Sequence, residues 1–161
     1  MKNYHKLVQR GITIFGKPHL ENELLSVQEG GTIMRIYHPT NKDLDPLTFQ
    51  PDRIFTLNDK SKIIFQVLGA QARKNREIEA DIFRVFLCSG ILKLIFITPS
   101  KESAENVDRI AAIVQKTLEI HGTRKAALPT VLTIVVPETT TTPEVAAGYL
   151  IKVEKEIFKR N

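Results

Sequence analysis

Three short, almost uninterrupted apolar segments constrain most strongly what this chain can fold into. They lie at residues 62–68, 91–97 and 131–136. An apolar run with so little alternation is typical of a strand that is buried on both faces of a sheet. The stretches between the three segments are long enough for crossover helices. The second half of the chain therefore predicts a βαβαβ unit with right-handed connections.

The segments that separate and follow these strands have helical patterns. Residues 71–88 place apolar side chains on one side of a helix and charged side chains, Asp81 among them, on the remaining positions. Ser100 or Ser103 is expected to begin a second helix that ends near Ile120. Thr142, with a proline directly after it, is expected to begin a last helix, which runs to about residue 158.

The first fifty residues predict two helices, a strand and a loop. Residues 3–15 have a loose helical pattern, and residues 19–28 follow a proline with apolar side chains on one side, so both are expected to be helices. Residues 32–37 are β-rich and predict a strand. Residues 38–51 contain several prolines and short polar residues, and they are expected to form a loop with extended pieces.

The order of these elements predicts an α/β fold in a single domain that spans residues 1–161. Helices on both faces of a mixed central sheet of about five strands give a three-layer sandwich. The chain has 161 residues, of which 42% are hydrophobic. A chain of this size buries enough surface to fold without a metal or a disulfide.

Charge and cysteine content restrict the classes of partner and compartment. Lys and Arg number 23 against 18 Asp and Glu, a net charge of +5, which favours an anionic partner. Cys88 is the only cysteine, so an internal disulfide is excluded. The sequence shows neither a signal-peptide pattern nor an apolar run of the ~20 residues that cross a bilayer. A cytoplasmic protein with no membrane partner is expected.

Two polar residues are conspicuous at the hairpin of residues 53–57 and 62–68. Asp52 follows Pro51 at the start of the first strand, and Gln66 lies inside the second strand, which is otherwise apolar. Pairing the strands across their turn puts Asp52 near Gln66 or its neighbour. Because an unpaired buried polar group costs ~1–3 kcal/mol, Gln66 needs a partner. That partner is either a ligand or metal, or a neighbouring backbone group.

This arrangement resembles the PD-(D/E)xK nuclease superfamily, which includes archaeal Holliday junction resolvases and many restriction endonucleases. The family core has the order α-β-β-β-α-β. It carries Pro-Asp at the start of the second strand, Asp/Glu-x-Lys in the third, and a glutamate from the preceding helix. Pro51-Asp52 matches the first of these, and the resemblance covers residues 18–98. It implies a restriction-endonuclease-like αβββαβ core followed by a C-terminal αβα extension.

The resemblance also implies a site for Mg²⁺ or Mn²⁺, if the protein is an active nuclease. Asp52 would bind the metal, helped by Glu23 or Glu21 on the preceding helix and by the carbonyl oxygen of Gln66. The sequence departs from the family here, because Gln66 stands where the family has an acid and Leu68 where it has a lysine. A glutamine offers only a neutral oxygen to a cation that prefers carboxylates.

Residues at the start of the next helix are the predicted replacements. Lys74, or Arg73, would take the place of the family's lysine and stabilise the attacking water or the scissile phosphate. Glu77 would take the place of the missing acid. Asp52, Gln66 and Lys74 are thus the predicted catalytic residues.

Three functions remain open. The first is a metal-dependent DNA endonuclease, and the second is a catalytically degenerate relative that binds nucleic acid or a protein without cleavage. The third is a flavodoxin-like ligand-binding or scaffold domain, although no glycine-rich phosphate loop follows any predicted strand. The residues predicted to contact DNA are Arg73, Lys74, Arg76, Arg124 and Lys125. Because nucleases of this superfamily often dimerise, the resemblance further implies a homodimer.

Overall fold

The computed structural model describes residues 3–69, 75–124 and 128–160. The helices in these residues are α1 (Tyr4–Gly16), α2 (Asn75–Phe86), α3 (Lys101–Ile120), α4 (Pro143–Ile151) and α5 (Glu154–Phe158). The strands are β1 (Leu24–Gln28), β2 (Met34–Ile36), β3 (Leu47–Phe49), β4 (Arg53–Leu57), β5 (Lys62–Val67), β6 (Ile91–Thr98) and β7 (Thr130–Val135). One turn of 3-10 helix, Lys17–His19, follows α1.

A mixed five-stranded sheet with the order β1-β4-β5-β6-β7 forms the middle layer. β4 pairs antiparallel with both β1 and β5, whereas β5, β6 and β7 run parallel. β2 and β3 pair only with each other, in a separate two-stranded sheet. The predicted mixed sheet of about five strands and the predicted βαβαβ half are therefore confirmed.

Alternate residues of the central strands contribute to two separate cores. Ile63, Phe65 and Val67 belong to the core that contains the apolar residues of α1, α4 and α5. Ile64 and Leu68 belong to the core that contains those of α2 and α3, together with the β2–β3 sheet. Because each strand is covered on both faces, its sequence has no polar side, and the three-layer α/β arrangement follows.

The packing of α1 against α4 depends on Gly11. A Cβ atom at Gly11 would lie 2.7 Å from the Cβ of Ala146 and 3.0 Å from the carbonyl oxygen of Pro143. Real side chains do not approach so closely, so only a glycine permits this spacing. The first helix of the chain is therefore held directly against α4.

The helix predicted at residues 19–28 is wrong. The chain forms only the 3-10 turn Lys17–His19 there, and then β1. β1 contains a register shift between Leu24 and Ser26, which allows Leu24 and Val27 both to face the α1 core. Their spacing of three residues imitates a helical repeat. Pairing with β4 decides the outcome, because strand preference depends on tertiary neighbours more than on local sequence.

Two smaller predictions differ from the structure. The first is the strand predicted at residues 32–37, which shortens to β2, whereas its partner β3 is one of the extended pieces predicted within residues 38–51. The last predicted helix divides into α4 and α5, because Val153 between them has non-helical backbone angles (φ −116°, ψ 20°).

No helix in the described ranges is long and apolar enough to cross a membrane.

Candidate functional site

Asp52 and Gln66 meet at one end of the β4–β5 hairpin, as predicted. The strand register sets Arg53 opposite Phe65, which brings Asp52 beside Gln66. The backbone N–H of Asp52 donates to Oε1 of Gln66 at 3.0 Å and to the carbonyl oxygen of Phe65 at 3.1 Å. The carbonyl of Gln66 thus has a neighbouring backbone group as its partner, one of the two alternatives that the sequence left open.

The carboxylate of Asp52 accepts hydrogen bonds from three directions. Nε2 of His5 lies 2.7 Å from Oδ1, and Nε2 of Gln9 donates to the same oxygen at 2.7 Å. The backbone N–H of Val67 donates to Oδ2 at 2.7 Å. Burial by itself would raise the pKa of Asp52, but the hydrogen bonds from His5, Val67 and Gln9 outweigh it, and the pKa lies below its usual value. Asp52 is therefore a stable anion whose side chain is only 13% exposed.

The side-chain partners of the Asp52 carboxylate come from one face of α1. His5, Gln9 and Thr13 are four residues apart, so they lie one above another on the helix. Nε of Arg53 donates to Oγ1 of Thr13 at 2.9 Å, and its NH1 donates to the carbonyl oxygen of Asp52 at 2.7 Å. Sequence analysis missed this contact between α1 and the start of β4. The signal for it was a polar residue at every fourth position of a helix that is otherwise apolar on its inner side.

A buried acid, Asp81 on α2, completes the site from the opposite face of the sheet. Nε2 of Gln66 donates to Oδ2 of Asp81 at 3.4 Å, and Asp81 is only 4% exposed. The prediction that Asp81 lies on the outer side of its helix is wrong. Asp81 is three residues after Ile78 and four before Val85, both of which are buried, so its position in the helical repeat already indicated an inward side chain.

The structure does not bring Glu23 to Asp52. Glu23 is exposed in the turn before β1, and its backbone carbonyl accepts from the N–H of Asn58 at 3.1 Å. Asn58 and Asp52 flank opposite ends of β4. They are six residues apart along the strand, which corresponds to about 20 Å. Glu21 lies in the same turn as Glu23. Both acids lose their predicted place because residues 19–28 do not form a helix.

The other predicted residues divide into two groups. Arg73, Lys74 and Lys125 lie outside the described residues. Arg76 and Arg124 are exposed, and Glu77 is exposed on α2. Next to Arg76, Asn75 contacts Asn106 in the first turns of α3, whereas Arg124 follows the other end of that helix, about 20 Å away. The two described members of the predicted DNA-contact set are therefore about 20 Å apart.

The donor set around Asp52 does not fit a hard divalent cation. Both carboxylate oxygens accept N–H groups, and so does Oε1 of Gln66. A Mg²⁺ or Mn²⁺ ion prefers several carboxylates and water, and it would have to displace these donors. Within residues 3–69, 75–124 and 128–160, no three His, Cys, Asp or Glu side chains are grouped to hold a metal.

Comparison with known proteins provides no relative from which a function could be transferred. No protein-family model, curated protein or solved structure matches the chain at a significant level. The functional interpretation depends on the geometry of the site and on the surface next to it.

Proposed function

We propose that this chain is a nuclease-like protein that binds nucleic acid, preferentially DNA, without cleaving it. The observation that carries the proposal is the pair of amide side chains at Asp52. Gln9 reaches Asp52 from α1, and Gln66 reaches it from β5, at 2.7 and 3.0 Å. Both are neutral amides, whereas the resemblance to the PD-(D/E)xK superfamily implies an acid at the position of Gln66 and a glutamate on the helix that precedes the sheet.

The order of elements supports a restriction-endonuclease-like core. If the β2–β3 sheet is treated as an insertion, the chain runs α1, β1, β4, β5, α2, β6, which is the α-β-β-β-α-β order that the resemblance implies. Pro51-Asp52 then opens the second core strand, and Gln66 lies in the third. α1, rather than the helix expected at residues 19–28, takes the place of the preceding helix.

The chemistry of the amides supports binding without a metal. Acids that converge on one point repel one another, and a bound cation removes that repulsion. An amide N–H instead donates directly to a carboxylate, as the N–H of Gln9 does to Asp52. The negative charge of Asp52 is thus compensated by protein donors alone, and no hydrolytic step is assigned to the site.

A row of cations along α1 and its C-cap residue supports nucleic acid as the partner. Lys6, Arg10 and Lys17 are all exposed, and the residues from Tyr4 to Gly16 include no acid. At about 100° per residue these three side chains lie within roughly 40° of one another, along about 16 Å of the helix axis. None of the three has an ion-pair partner in the described part of the chain. Duplex DNA presents about one phosphate charge per 1.7 Å, so this row faces several phosphates at once.

Charge reversal on this row tests the proposal. The triple variant Lys6→Glu, Arg10→Glu, Lys17→Glu should weaken binding of a fluorescent DNA duplex, measured by anisotropy. It should also reduce the steepness of the salt dependence by about two to three units of log K against log salt. The matched control reverses Lys42, Lys60 and Lys116, which are exposed in the β2–β3 loop, in the β4–β5 turn and on α3, and which change the net charge equally.

Two outcomes would contradict the proposal. The first is equal loss of DNA affinity in the row variant and in the scattered control, which would reduce the effect to net charge. The second is cleavage of plasmid, single-stranded or branched DNA by the wild type in Mn²⁺ that Asp52→Ala abolishes. That result would favour the endonuclease hypothesis instead.

A further inference from the structure

An apolar groove lies on the α2 side of the sheet. What we infer from it does not rest on the proposed binding of nucleic acid. Exposed large apolar side chains are grouped there: Ile33, Tyr37, Leu44, Leu47 and Leu87 are each between 43 and 59% exposed. Such grouping is unusual, because single exposed apolar residues are common but clusters of them mark binding surfaces. We call this surface the seam groove.

The seam groove lies between the two structures that cover one face of the central sheet, the α2–α3 helix pair and the β2–β3 sheet. α2 and α3 cover the parallel strands, whereas the β2–β3 sheet covers the β4 side through Met34 and Phe49. A cavity of about 460 Å³ remains between β2 and the end of α2, with Ile54 and Lys62 among its lining residues. An adjoining cavity of about 330 Å³ shares Ile36, Tyr37 and Leu87 with it. Each volume is within the range of small-molecule sites.

The two parts of the seam groove differ in charge. The first cavity is lined by Arg35 and Lys62, and the described residues around it include no Asp or Glu. Neither cation has an ion-pair partner within the described ranges. The second cavity is lined mainly by apolar side chains, with His38 and the exposed Asp45 among its polar members. The groove therefore has a cationic end and an apolar end.

We infer that the seam groove binds a small amphipathic carboxylate, a molecule with one carboxylate and an unbranched apolar chain. The carboxylate pairs with Arg35 and Lys62, and the chain lies in the second cavity against Tyr37 and Leu87. Charge complementarity selects an anion at one end. Apolar lining selects a hydrocarbon at the other, since burying it removes apolar surface from water. A polyanion such as nucleic acid fits poorly, because the second cavity offers apolar contacts and an acid.

Cys88 provides a built-in reporter of occupancy. It lines the first cavity and is the only cysteine of the chain, so its alkylation reads this site alone. The probe is decanoate, and the measurement is the rate at which iodoacetamide modifies the intact protein, followed by mass spectrometry. Decanoate should slow the modification by about tenfold at roughly nine times its dissociation constant. Decanol lacks the charge and butanoate lacks the chain, so neither should protect at the same concentration.

Substitutions at the cationic end give the second readout. Lys62→Gln and Arg35→Gln should each weaken the protection by decanoate about tenfold in concentration, as expected when a charged hydrogen bond is lost. Lys60→Gln, an exposed cation in the nearby hairpin turn, is the matched control and should leave it unchanged. Burial raises the pKa of the Cys88 thiol, and Lys62 opposes part of that rise. Since a change at Lys62 therefore alters the thiol itself, each variant is compared with and without decanoate.

Three results would overturn the inference. The first is protection by decanol equal to that by decanoate, since the cations would then select nothing. The second is an unchanged alkylation rate with all three probes. The third is the same loss of protection in Lys60→Gln as in Lys62→Gln, with circular dichroism showing that both variants are folded.

Discussion

Asp52 connects parts of the molecule that are far apart in sequence. Its carboxylate accepts from His5 and Gln9 on α1 and from the backbone of Val67 at the end of β5. Its backbone N–H holds the carbonyl of Gln66, whose amide in turn reaches α2. One residue thus links the two outer layers through the sheet, which gives it a structural role in addition to any role in binding.

Removing the charge of Asp52 should destabilise the protein. Asparagine keeps one acceptor oxygen, so in Asp52→Asn an NH₂ group faces at least one of the N–H donors. We expect the free energy of unfolding at pH 7 to fall by about 1–3 kcal/mol, measured by urea denaturation. The control Asp43→Asn removes an exposed carboxylate and should change it by less than about 0.5 kcal/mol.

The difference in stability between wild type and Asp52→Asn should depend on pH. The pKa of Asp52 is lower in the folded state than its usual value, so the unfolded chain binds the proton first as the pH falls. The stability that Asp52 contributes is therefore complete above its unfolded pKa of about 3.9 and is lost as the pH falls through the folded pKa. The difference between wild type and Asp52→Asn should narrow below about pH 4. A constant difference down to acid unfolding would contradict this assignment.

Replacing the two amides by acids tests whether they stand where a cation would otherwise be needed. Gln9→Glu with Gln66→Glu places new carboxylates against Asp52 and Asp81, and we expect a loss of about 2 kcal/mol or more at neutral pH in EDTA. Millimolar Mn²⁺ should restore part of the loss, because a cation that binds only the folded state stabilises it. Urea denaturation of the double variant and of the wild type, with and without Mn²⁺, measures both effects. A double variant indifferent to Mn²⁺ would show that the amides do not occupy a cation's place.

At the level of helices and strands, the contact of α1 with α4 sets the position of the site. Gly11 brings the two helices together, and α1 carries both side chains that hold Asp52. We expect Gly11→Ala to destabilise the protein by about 1–3 kcal/mol, because the added Cβ overlaps with Ala146. This happens although alanine is the better helix former. Thermal unfolding followed by circular dichroism measures it.

Gly148 on α4 is the matched control. A Cβ there meets no atom within 4 Å. Gly148→Ala should therefore stabilise the protein by about 0.5–1 kcal/mol through helix propensity alone. If Gly11→Ala stabilised the protein as Gly148→Ala does, the spacing between α1 and α4 would not depend on the absence of a side chain at Gly11.

Over the whole molecule, the parallel half of the fold was predictable and the beginning was not. The strand predicted at residues 91–97 and the helix predicted to begin at Ser100 or Ser103 agree with β6 and with α3, whose N-cap is Ser100. Each of these segments has one local pattern that the tertiary structure also uses. β1 has no such local signal, since its pairing with β4 and its register shift determine it. The error displaced Glu23 from the predicted site.

The candidate site was predictable to the extent that it lies on the hairpin. Asp52 and Gln66 lie next to each other because β4 and β5 pair directly across a short turn. His5 and Gln9 were marked by their four-residue spacing on α1, but the carboxylate that they contact is determined by the packing of α1 against β4. Asp81 could have been found, because its spacing from Ile78 and Val85 indicated an inward side chain.

The contact between α1 and α4 has a consequence for biosynthesis. α1 emerges from the ribosome long before residues 143–158 exist, yet Ala146, Ala147 and Leu150 cover part of its apolar face. Until those residues are made, one flank of the stripe formed by Tyr4, Val8, Ile12 and Phe15 is without its native neighbour. Apolar surface left exposed in this way makes an incomplete chain prone to aggregate. Synthesis of residues 143–158, rather than the order of the strands, therefore closes the fold.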